Sequence, residues 1–482
     1  MKLFKPGFRI GVFVMLLWGG GMLLPVLSSP GSWEASRPFL LSAVICFGLA
    51  AMLQVLAQGH IGHLQPRALF MATAFNWILL SLTGTLPFLL AGRGMRFSDS
   101  LFESISGITT TGASIFADVE VLPVGLLLWR SVTQWIGGIG IILVAVAVLP
   151  SLKGGGMKLF RSEFSEWNQL DIGRISVIAV HILRIYVLIS VLCLLGYMIF
   201  GMPWFEALNH MMATVSTGGF GMWNNSFGHY DDGHLQLVSS TFMLLGACPF
   251  LAIVVSLANR NAGLLRDPQV LHLLLMTLGS ALLIGGWRLW QSGSGDVMDV
   301  LESSFFNVVS IATTTGFASE DYGLWGSFPV MIMCFLMFSG GASGSTSGGI
   351  KLFRYHLLFI FMRENINAAL HPEVRLARQY NGRPIRDDVL LGSLAFFCFV
   401  IVALCVSSSL LALCGLDPVT SITGTLSALM NVGPGFGATI GPVGNYSTLP
   451  DFAKYVLCAD MLLGRLEYLT LVIIFTREFW KW

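Results

Sequence analysis

Long apolar runs alternate with short polar stretches along most of the chain. A helix needs about 20 apolar residues to cross the hydrocarbon core of a bilayer. Runs of that length predict ten membrane-spanning helices, at residues 10–28, 38–58, 68–91, 123–150, 175–201, 235–258, 269–290, 326–350, 388–414 and 454–476. The pattern therefore predicts an all-α polytopic membrane protein.

Four further apolar segments are too short to cross a membrane, at residues 98–109, 203–215, 299–312 and 418–431. Each ends in a polar stretch that contains glycine, which is typical of a re-entrant helix followed by a loop. From residue 68 onward the order of span, short segment, polar stretch and span occurs four times, which indicates an internal repeat. We predict an N-terminal two-helix hairpin over residues 1–60 and repeats over residues 61–155, 156–262, 263–362 and 363–482.

Composition agrees with a membrane location and excludes several classes of protein. Of the 482 residues, 55% are hydrophobic and only 11% are charged, which is too apolar for a soluble enzyme of this length. The net charge of +1 gives no basic surface for nucleic acid. The apolar run after Arg9 is longer than the core of a usual signal peptide, so we expect it to remain as the first span.

Charge is distributed unevenly between the two sides of the predicted membrane. When the N-terminus is placed in the cytoplasm, most of the 27 Lys and Arg residues fall on inner segments. Seven of them lie between Lys351 and Arg386. The positive-inside rule therefore predicts cytoplasmic N- and C-termini. Outer loops carry acidic residues such as Asp118 and Glu120, which would concentrate cations at the outer mouth.

The polar stretches after the short segments have similar sequences. They read TTTGAS, STGGFG, TTTGFA and NVGPGFG, beginning at residues 109, 216, 313 and 431. Non-helical backbone at membrane depth carries unpaired carbonyls, so it is tolerated only where it is buried in protein or lines a watery path. Carbonyl and threonine oxygens from four such loops could replace the water shell of a dehydrated cation. Close packing of helices through small residues would explain one copy, but four copies in the same order favour an ion pathway.

These loops, together with QWIGGIGI at residues 134–141 and GRLE at residues 464–467, resemble the membrane subunit of the Trk, Ktr and HKT potassium transporters. The N-terminal hairpin makes the chain most similar to the bacterial TrkH/TrkG branch. The resemblance implies four repeats around one pore, a homodimer, and a location in the bacterial cytoplasmic (inner) membrane. It also implies regulation by a cytosolic nucleotide-binding subunit similar to TrkA.

The same resemblance assigns the residues of a selectivity filter, with Gly112, Gly218, Gly316 and Gly435 as its key glycines. The whole predicted filter is Thr110, Thr111, Gly112, Ser216, Thr217, Gly218, Thr314, Thr315, Gly316, Asn431, Val432, Gly433 and Gly435. Potassium is expected at Thr110, Thr111, Ser216, Thr217, Thr314, Thr315, Val432 and Gly433. Potassium is the substrate here, and no cofactor is expected on this chain. In some plant members a serine at the first glycine is associated with sodium permeation, whereas this chain has glycine.

A glycine-rich stretch, FSGGASGSTSGGIK at residues 338–351, interrupts one of the predicted spans. Its glycines are Gly340, Gly341, Gly344, Gly348 and Gly349. Each glycine costs a helix about 1 kcal/mol, so a stable helix is not expected there. The stretch resembles the intramembrane loop that serves as a gate below the filter in this family. A close contact between helices, lined by glycine, is the alternative.

Arg465 falls in the middle of the last predicted span, where a charge is costly and usually functional. The matching arginine in the family projects into the pore near the gate. The alternative is a structural ion pair with Asp460 or Glu467.

The sequence thus favours potassium uptake through a channel-like pore with a carbonyl-lined filter, gated by the glycine-rich loop and Arg465. A secondary transporter that couples potassium to proton or sodium movement is the alternative, because broken helices at mid-membrane also serve such carriers. The spans contain no clustered nucleophile, base or metal ligands, so we do not expect an enzyme.

Overall fold

The computed structural model describes most of the chain. The described residues are 3–28, 31–58, 66–92, 94–148, 175–230, 232–292, 296–371, 373, 378–381 and 383–481. Within these ranges the chain is built almost entirely of helices.

The α-helices are α1 (Lys5–Gly21), α2 (Leu23–Leu27), α3 (Trp33–Leu56), α4 (Pro66–Gly84), α5 (Leu86–Leu90), α6 (Phe97–Ile108), α7 (Val124–Val148), α8 (Ile175–Ile199), α9 (Trp204–Val215), α10 (Gly233–Ala247), α11 (Phe250–Ala258), α12 (Gly263–Arg266), α13 (Pro268–Ser292), α14 (Val297–Ala312), α15 (Ser327–Ser339), α16 (Leu352–Leu370), α17 (Asp387–Leu413), α18 (Pro418–Met430), α19 (Asp451–Arg465), α20 (Leu469–Val472) and α21 (Arg477–Trp480). Short 3₁₀ helices cover Ser226–His229, Tyr322–Leu324 and Ile473–Phe475.

Seven helical segments in the described ranges are long and apolar enough to cross a membrane. They are Lys5–Leu27, Trp33–Leu56, Arg67–Leu90, Val124–Leu143, Val177–Ile199, Pro268–Gln291 and Asp387–Leu413. An eighth would be the pair α10 and α11, which meet at an angle of 93°. The predicted span 235–258 is therefore wrong as one straight helix. The bend occurs at Pro249, which has no backbone N–H to continue the hydrogen bonding of α10.

Two other predicted spans are also interrupted, and the glycine-rich stretch at residues 338–351 predicts the first of these interruptions. Within 326–350 the helix α15 ends at Ser339, because Gly340 adopts a left-handed φ of 63°. Within 454–476 the helix α19 ends at Arg465, and Glu467 and Tyr468 have φ of 57° and 52°. Arg465 thus lies at the end of a helix rather than in the middle of one.

A short hairpin is a small departure from the predicted all-α fold. Strand β1 (Gln379–Tyr380) pairs antiparallel with β2 (Arg383–Pro384). The hairpin lies in the basic connection between α16 and α17, and its Tyr380 packs against Phe353 of α16 with ring centroids 4.9 Å apart.

The four short apolar segments form the helices α6, α9, α14 and α18, which we call pore helices 1 to 4 after the role that the sequence predicts for them. Their residues are largely buried among the surrounding helices, so they form the centre of the molecule. Pore helices 3 and 4 begin at aspartate caps, where Asp296 accepts from the Met298 N–H and Asp417 accepts from the Thr420 N–H.

The first and fourth repeats are joined directly at one end. Lys454 on α19 donates to Asp99 on pore helix 1 over 2.6 Å, and Ser98 donates to Asp451 over 2.9 Å. These contacts connect residues more than 350 positions apart and hold the first and fourth predicted repeats together.

Of the predicted repeat boundaries that fall in the described residues, one lies between two helices and one lies inside a helix. The boundaries after residues 60 and 155 lie outside the described residues. The boundary after residue 262 falls between α11 and α12, and the boundary after residue 362 falls inside α16. The helix α16 is therefore shared between the third and fourth predicted repeats.

Candidate functional site

All four pore helices end in the same backbone motif. Just after the last helical turn, each loop has one residue with a left-handed φ of between 52° and 57°. These residues are Thr110, Thr217, Thr314 and Asn431. The next N–H in each loop donates back to the carbonyl five residues earlier, over 2.8 to 2.9 Å. This is the Schellman arrangement that terminates helices. The four loops are therefore equivalent in backbone structure.

The residues at this left-handed position are unusual for it. Asparagine tolerates a positive φ, but threonine is branched at Cβ and is strained in that conformation. Three of the four loops nevertheless place a threonine there. Strain of this kind persists where the surrounding structure imposes it, and it is concentrated at functional sites.

Two residues further on, each loop has a glycine with positive φ. These are Gly112, Gly219, Gly316 and Gly433, with φ of 83°, 76°, 85° and 107°. A Cβ atom at each of these glycines would overlap a carbonyl oxygen of the next loop, belonging in turn to Gly218, Thr315, Val432 and Thr111. The sequence of contacts returns to its starting loop. The four loops therefore form a closed ring, which we call the filter ring after the predicted selectivity filter.

This geometry corrects the predicted alignment of the second and fourth loops. Gly218 and Gly435 were predicted as key glycines, but Gly219 and Gly433 occupy the places of Gly112 and Gly316. The second loop has two adjacent glycines, and only the backbone angle shows which one makes the close approach. In the fourth loop, Gly435 instead donates to the Ile440 carbonyl, outside the ring.

Among the residues that the structure describes, three of the four equivalent carbonyl oxygens of the ring accept no hydrogen bond. Thr111, Gly218, Thr315 and Val432 occupy equivalent positions, one residue before the ring glycines. In the described part of the chain, no donor reaches the carbonyl oxygens of Thr111, Thr315 and Val432. All three residues are fully buried. Buried carbonyls are nearly always paired, so these oxygens are suited to hold a cation.

The predicted threonine hydroxyls take part in contacts within the protein. The hydroxyls of Thr111 and Thr315 lie 2.7 and 2.8 Å from those of Thr109 and Thr313. By contrast, the Thr110 hydroxyl is buried without a partner among the described residues. The backbone oxygens are therefore the more consistent feature of the ring, and Thr110 is the hydroxyl left available to a ligand.

The glycine-rich stretch forms a buried loop, residues 340–351, directly against the filter ring. The Gly348 N–H donates to the Thr314 hydroxyl over 2.6 Å, and the Thr217 hydroxyl donates to Thr346 over 3.3 Å. The Gly349 N–H donates to the Met430 carbonyl over 2.8 Å. The loop thus contacts the second, third and fourth filter loops at the left-handed residues or beside them.

The bend between α10 and α11 provides further anchors for this loop. Pro249 leaves carbonyls of the last turn of α10 without helical partners. Instead, the Ala247 and Gly246 carbonyls accept from the N–H groups of Ala342 and Thr346, over 2.9 and 3.0 Å. The break in α10 and the loop therefore satisfy each other's backbone hydrogen bonds.

Arg465 joins the loop to the first repeat. Its guanidinium donates to the Thr346 carbonyl over 2.8 Å and to the Gly137 carbonyl over 3.3 Å, and the residue is only 3% exposed. The alternative ion pairs with Asp460 or Glu467 are not formed. Glu467 instead pairs with Arg354 over 2.6 Å, and Asp460 accepts from Ser407.

A buried ion pair behind the filter ring was not predicted. Arg130 donates to Glu103 over 2.7 Å and to the Gly221 carbonyl over 2.9 Å, and its guanidinium lies 4.2 Å from the Phe220 ring centroid. Glu103 also accepts from the Ile115 N–H. A carboxylate inside a short apolar segment requires a partner, and that was the signal available in the sequence.

Tyr446 supports the fourth loop from outside the ring. Its hydroxyl donates to the Gly433 carbonyl over 2.8 Å, and the residue is buried. We expect Tyr446→Phe to destabilise the protein by about 1 kcal/mol, because it leaves that carbonyl without its donor. The thermal midpoint of the purified protein in detergent measures the effect. Tyr455→Phe, at an exposed position on α19, is the control and should not shift the midpoint.

A helical membrane protein whose centre is a ring of buried backbone oxygens has the construction of a cation transport protein. The family model described as "TrkH: Cation transport protein" matches residues 36–481. The chain belongs to this family, as the filter motifs indicated.

Individual relatives agree with this assignment. The chain is 41% identical over 419 residues to the Trk system potassium uptake protein TrkI of Halomonas elongata, covering 87% of this chain and 85% of that protein. It is 32% identical over 486 residues to TrkH of Escherichia coli, covering 99% of both. The crystal structure of the potassium transporter TrkH from Vibrio parahaemolyticus superimposes with a TM-score of 0.90 at 29% identity, covering 99% of this chain and 100% of that one.

These findings confirm the sequence interpretation at the level of the family. The chain is a multi-pass helical membrane protein of the Trk potassium uptake family, and its bacterial relatives support a location in the inner membrane. The relatives are named as uptake proteins rather than as enzymes.

Proposed function

We propose that the chain takes up potassium through a channel-like pore, with the filter ring as its selectivity filter. The observation that carries the proposal is the closed ring, in which three equivalent buried carbonyls have no donor in the part of the chain that the structure describes. Such oxygens can replace the hydration shell of an alkali cation. The relatives of this chain are named as potassium uptake proteins, which supports potassium as the ion. Potassium is the substrate, and no cofactor on this chain is proposed.

The loop 340–351 and Arg465 form the proposed gate. The loop is buried directly against three filter loops, so an ion leaving the ring on that side must displace it. Arg465 holds the loop at Thr346 and adds a positive charge beside the path. In this closed arrangement both hydrogen bonding and charge oppose the passage of cations.

The proposed topology has ten crossings with both termini in the cytoplasm. Eight of them correspond to the seven long segments and the bent pair. The other two are broken segments, one made of α15 and the loop that follows it, and one of α19 and the short helices after it. The proposed assembly is a homodimer regulated by a cytosolic nucleotide-binding subunit similar to TrkA, as the family resemblance implies.

Ion flux from the purified protein in liposomes tests the function. Vesicles loaded with potassium and diluted into low-potassium buffer should take up tracer Rb⁺ in exchange, and sodium-loaded vesicles should take up tracer Na⁺ far more slowly. Equal uptake of both ions would contradict a potassium-selective filter. No uptake above empty vesicles, with a folded protein and partner added, would contradict the pore.

Coupled transport is the second candidate, because the bend of 93° between α10 and α11 shows a broken helix of the type found in carriers. The same vesicles distinguish the two mechanisms. A carrier would accumulate Rb⁺ against its electrochemical gradient when a proton or sodium gradient is imposed. A passive pore would only follow the Rb⁺ gradient and the membrane potential.

The basic connection between α16 and α17 is the proposed docking surface for the regulatory subunit. We expect neutralisation of Arg375, Arg378 and Arg383 together to weaken co-purification of that subunit by about tenfold, because each charge contributes modestly at an exposed interface. Arg375 lies outside the described residues, as does the side chain of Arg383. Arg378 is held by Glu364 and Asp387. Pull-down at low and at physiological salt measures the change.

The ion pairs of Arg378 supply the control. Glu364→Gln with Asp387→Asn removes both of its partners and leaves the positive charge in place. If charge mediates docking, this variant binds at least as well as the unaltered protein. If it loses binding as the triple variant does, local structure rather than charge forms the surface. A triple variant that binds normally would contradict the proposed site.

A further inference from the structure

One position in the filter ring breaks the equivalence of the four loops. Thr111, Thr315 and Val432 stand at the carbonyl-bearing position of the first, third and fourth loops, and each has a side chain branched at Cβ. The second loop has Gly218 at this position. The φ of Gly218 is not positive, so backbone conformation does not require glycine there. Another feature of the structure must account for the missing side chain.

The side chain of Gln134 occupies that space. It comes from α7 in the first repeat and is fully buried. A Cβ atom at Gly218 would lie 2.5 Å from the amide carbon of Gln134 and 2.7 Å from its oxygen. Any larger residue at 218 would therefore collide with Gln134, which fills the volume that threonine or valine fills in the other loops.

The same amide group is hydrogen bonded to the filter loop at both of its ends. Its Nε2 donates to the Gly218 carbonyl over 2.5 Å, and its Oε1 accepts from the Phe220 N–H over 3.1 Å. Both bonds agree with a single orientation of the amide. The donated bond makes Gly218 the one member of the carbonyl ring with a donor, among the residues that the structure describes.

We propose that Gln134 is a positioning residue that sets the ion selectivity of the filter ring. It replaces the absent side chain of Gly218 and fixes residues 218–220 by two hydrogen bonds, so that the Gly218 carbonyl is held in place. Selectivity of a carbonyl site depends on the number, field strength and mobility of its oxygens. The inference rests on the proposed function of the ring as a selectivity filter.

Arg130 extends the same support by one helical turn. It lies four residues before Gln134 on α7, on the same face, and donates to the Gly221 carbonyl over 2.9 Å. Its guanidinium packs on the Phe220 ring. Together the two side chains hold the second loop from Gly218 to Gly221 against the first repeat.

The first test compares Rb⁺ and Na⁺ influx into liposomes that contain the full-length Gln134→Met variant. Methionine keeps the length of the side chain and removes both hydrogen bonds. We expect the ratio of Rb⁺ to Na⁺ influx to fall roughly fivefold, the size expected for a buried hydrogen bond, with Rb⁺ influx itself nearly retained. Ser131→Ala is the matched control, since Ser131 is also buried on α7 and, among the described residues, bonds only within its own helix. It should leave the ratio unchanged.

A compensating pair of substitutions separates positioning from general loss of structure. Gly218→Thr alone should lower both the ratio and the yield of folded protein, because the new side chain collides with Gln134. Gln134→Ala with Gly218→Thr gives the second loop the TTG sequence of the first and third loops and frees the required space. The pair should restore the ratio to within about twofold of the unaltered protein, a non-additive effect between neighbouring residues.

The possible outcomes distinguish this inference from the function on which it rests. An unchanged ratio in Gln134→Met, alongside a reduced ratio in Gly112→Ser, would overturn the role of Gln134 and leave the filter in place. Unchanged ratios in both would overturn the filter ring as well. If Gln134→Met does not yield a monodisperse protein, the double variant decides, and failure of that pair to restore the ratio overturns the proposal.

Discussion

Replacing Gly112 by serine should lower the ratio of Rb⁺ to Na⁺ influx by about tenfold or more. The φ of Gly112 is 83°, where a side chain costs about 1 to 2 kcal/mol. In addition, its Cβ would overlap the Gly218 carbonyl in the neighbouring loop. Two adjacent loops must therefore shift together, and the carbonyl ring loses its geometry. Tracer influx into liposomes, with equal amounts of reconstituted protein, measures the ratio.

Two comparisons define the meaning of that result. Gly140→Ser is the control, because a Cβ at Gly140 meets no atom within 4 Å. Two single variants, Gly433→Ser and Gly435→Ser, together test the alignment of the fourth loop. The ring geometry predicts that the first of these behaves as Gly112→Ser does, and that the second changes selectivity less. The reverse order would show that Gly435 is the filter glycine, and unchanged selectivity in all of them would place the filter elsewhere.

The pore helices could be located from the sequence because their signal is local. A short apolar segment followed by threonine and glycine marks the end of a helix. Pore helix 2 (Trp204–Val215) begins and ends within one residue of the predicted segment 203–215. The alignment of the loops could not be read in the same way. Gly218 and Gly219 are chemically identical, and what separates them is the approach of Thr315 from another repeat.

The same distinction explains the residues that were missed. Gln134 was noted only as part of a family motif, and its role depends on Gly218 lying beside it, 84 residues away in sequence. The ion pair of Arg130 is of the same kind, because its partner Glu103 lies 27 residues away in sequence and comes close only in the folded chain. An amide or a charge has no periodic pattern, so its partner appears only when the chain is folded.

The breaks in predicted spans have a related cause. Hydropathy measures whether a segment is apolar and not whether it is straight, so 235–258 was predicted as one helix. Pro249 in that span was the available signal, and its effect depends on whether other groups satisfy the freed carbonyls. Here the N–H groups of Ala342 and Thr346 do so. The glycines of the loop, by contrast, were sufficient to predict an interruption of 326–350.

Replacing Arg465 by alanine should raise Rb⁺ influx by about 30-fold in the absence of the regulatory subunit. The guanidinium holds the loop through the Thr346 carbonyl and also bonds the Gly137 carbonyl. A buried hydrogen bond to a charged group contributes about 1.5 to 3 kcal/mol, so its loss should open the loop in a much larger fraction of molecules. Removal of the charge also lowers the electrostatic barrier to a cation. Tracer influx without partner subunit is the measurement.

Two further variants separate hydrogen bonding from charge in the gate. Arg465→Lys keeps the charge and loses the planar fork that reaches both carbonyls, so influx should rise less than in the alanine variant if charge contributes. Deletion of Gly344 to Ser347 removes the Thr346 carbonyl itself and should also raise influx. When the deletion is combined with Arg465→Ala, influx should rise by less than the two separate effects predict, because both changes remove the same barrier to the ion. If Arg465→Ala yields a folded, membrane-inserted protein with reduced influx, the arginine stabilises the conducting state, and the bond to Thr346 is not the gate.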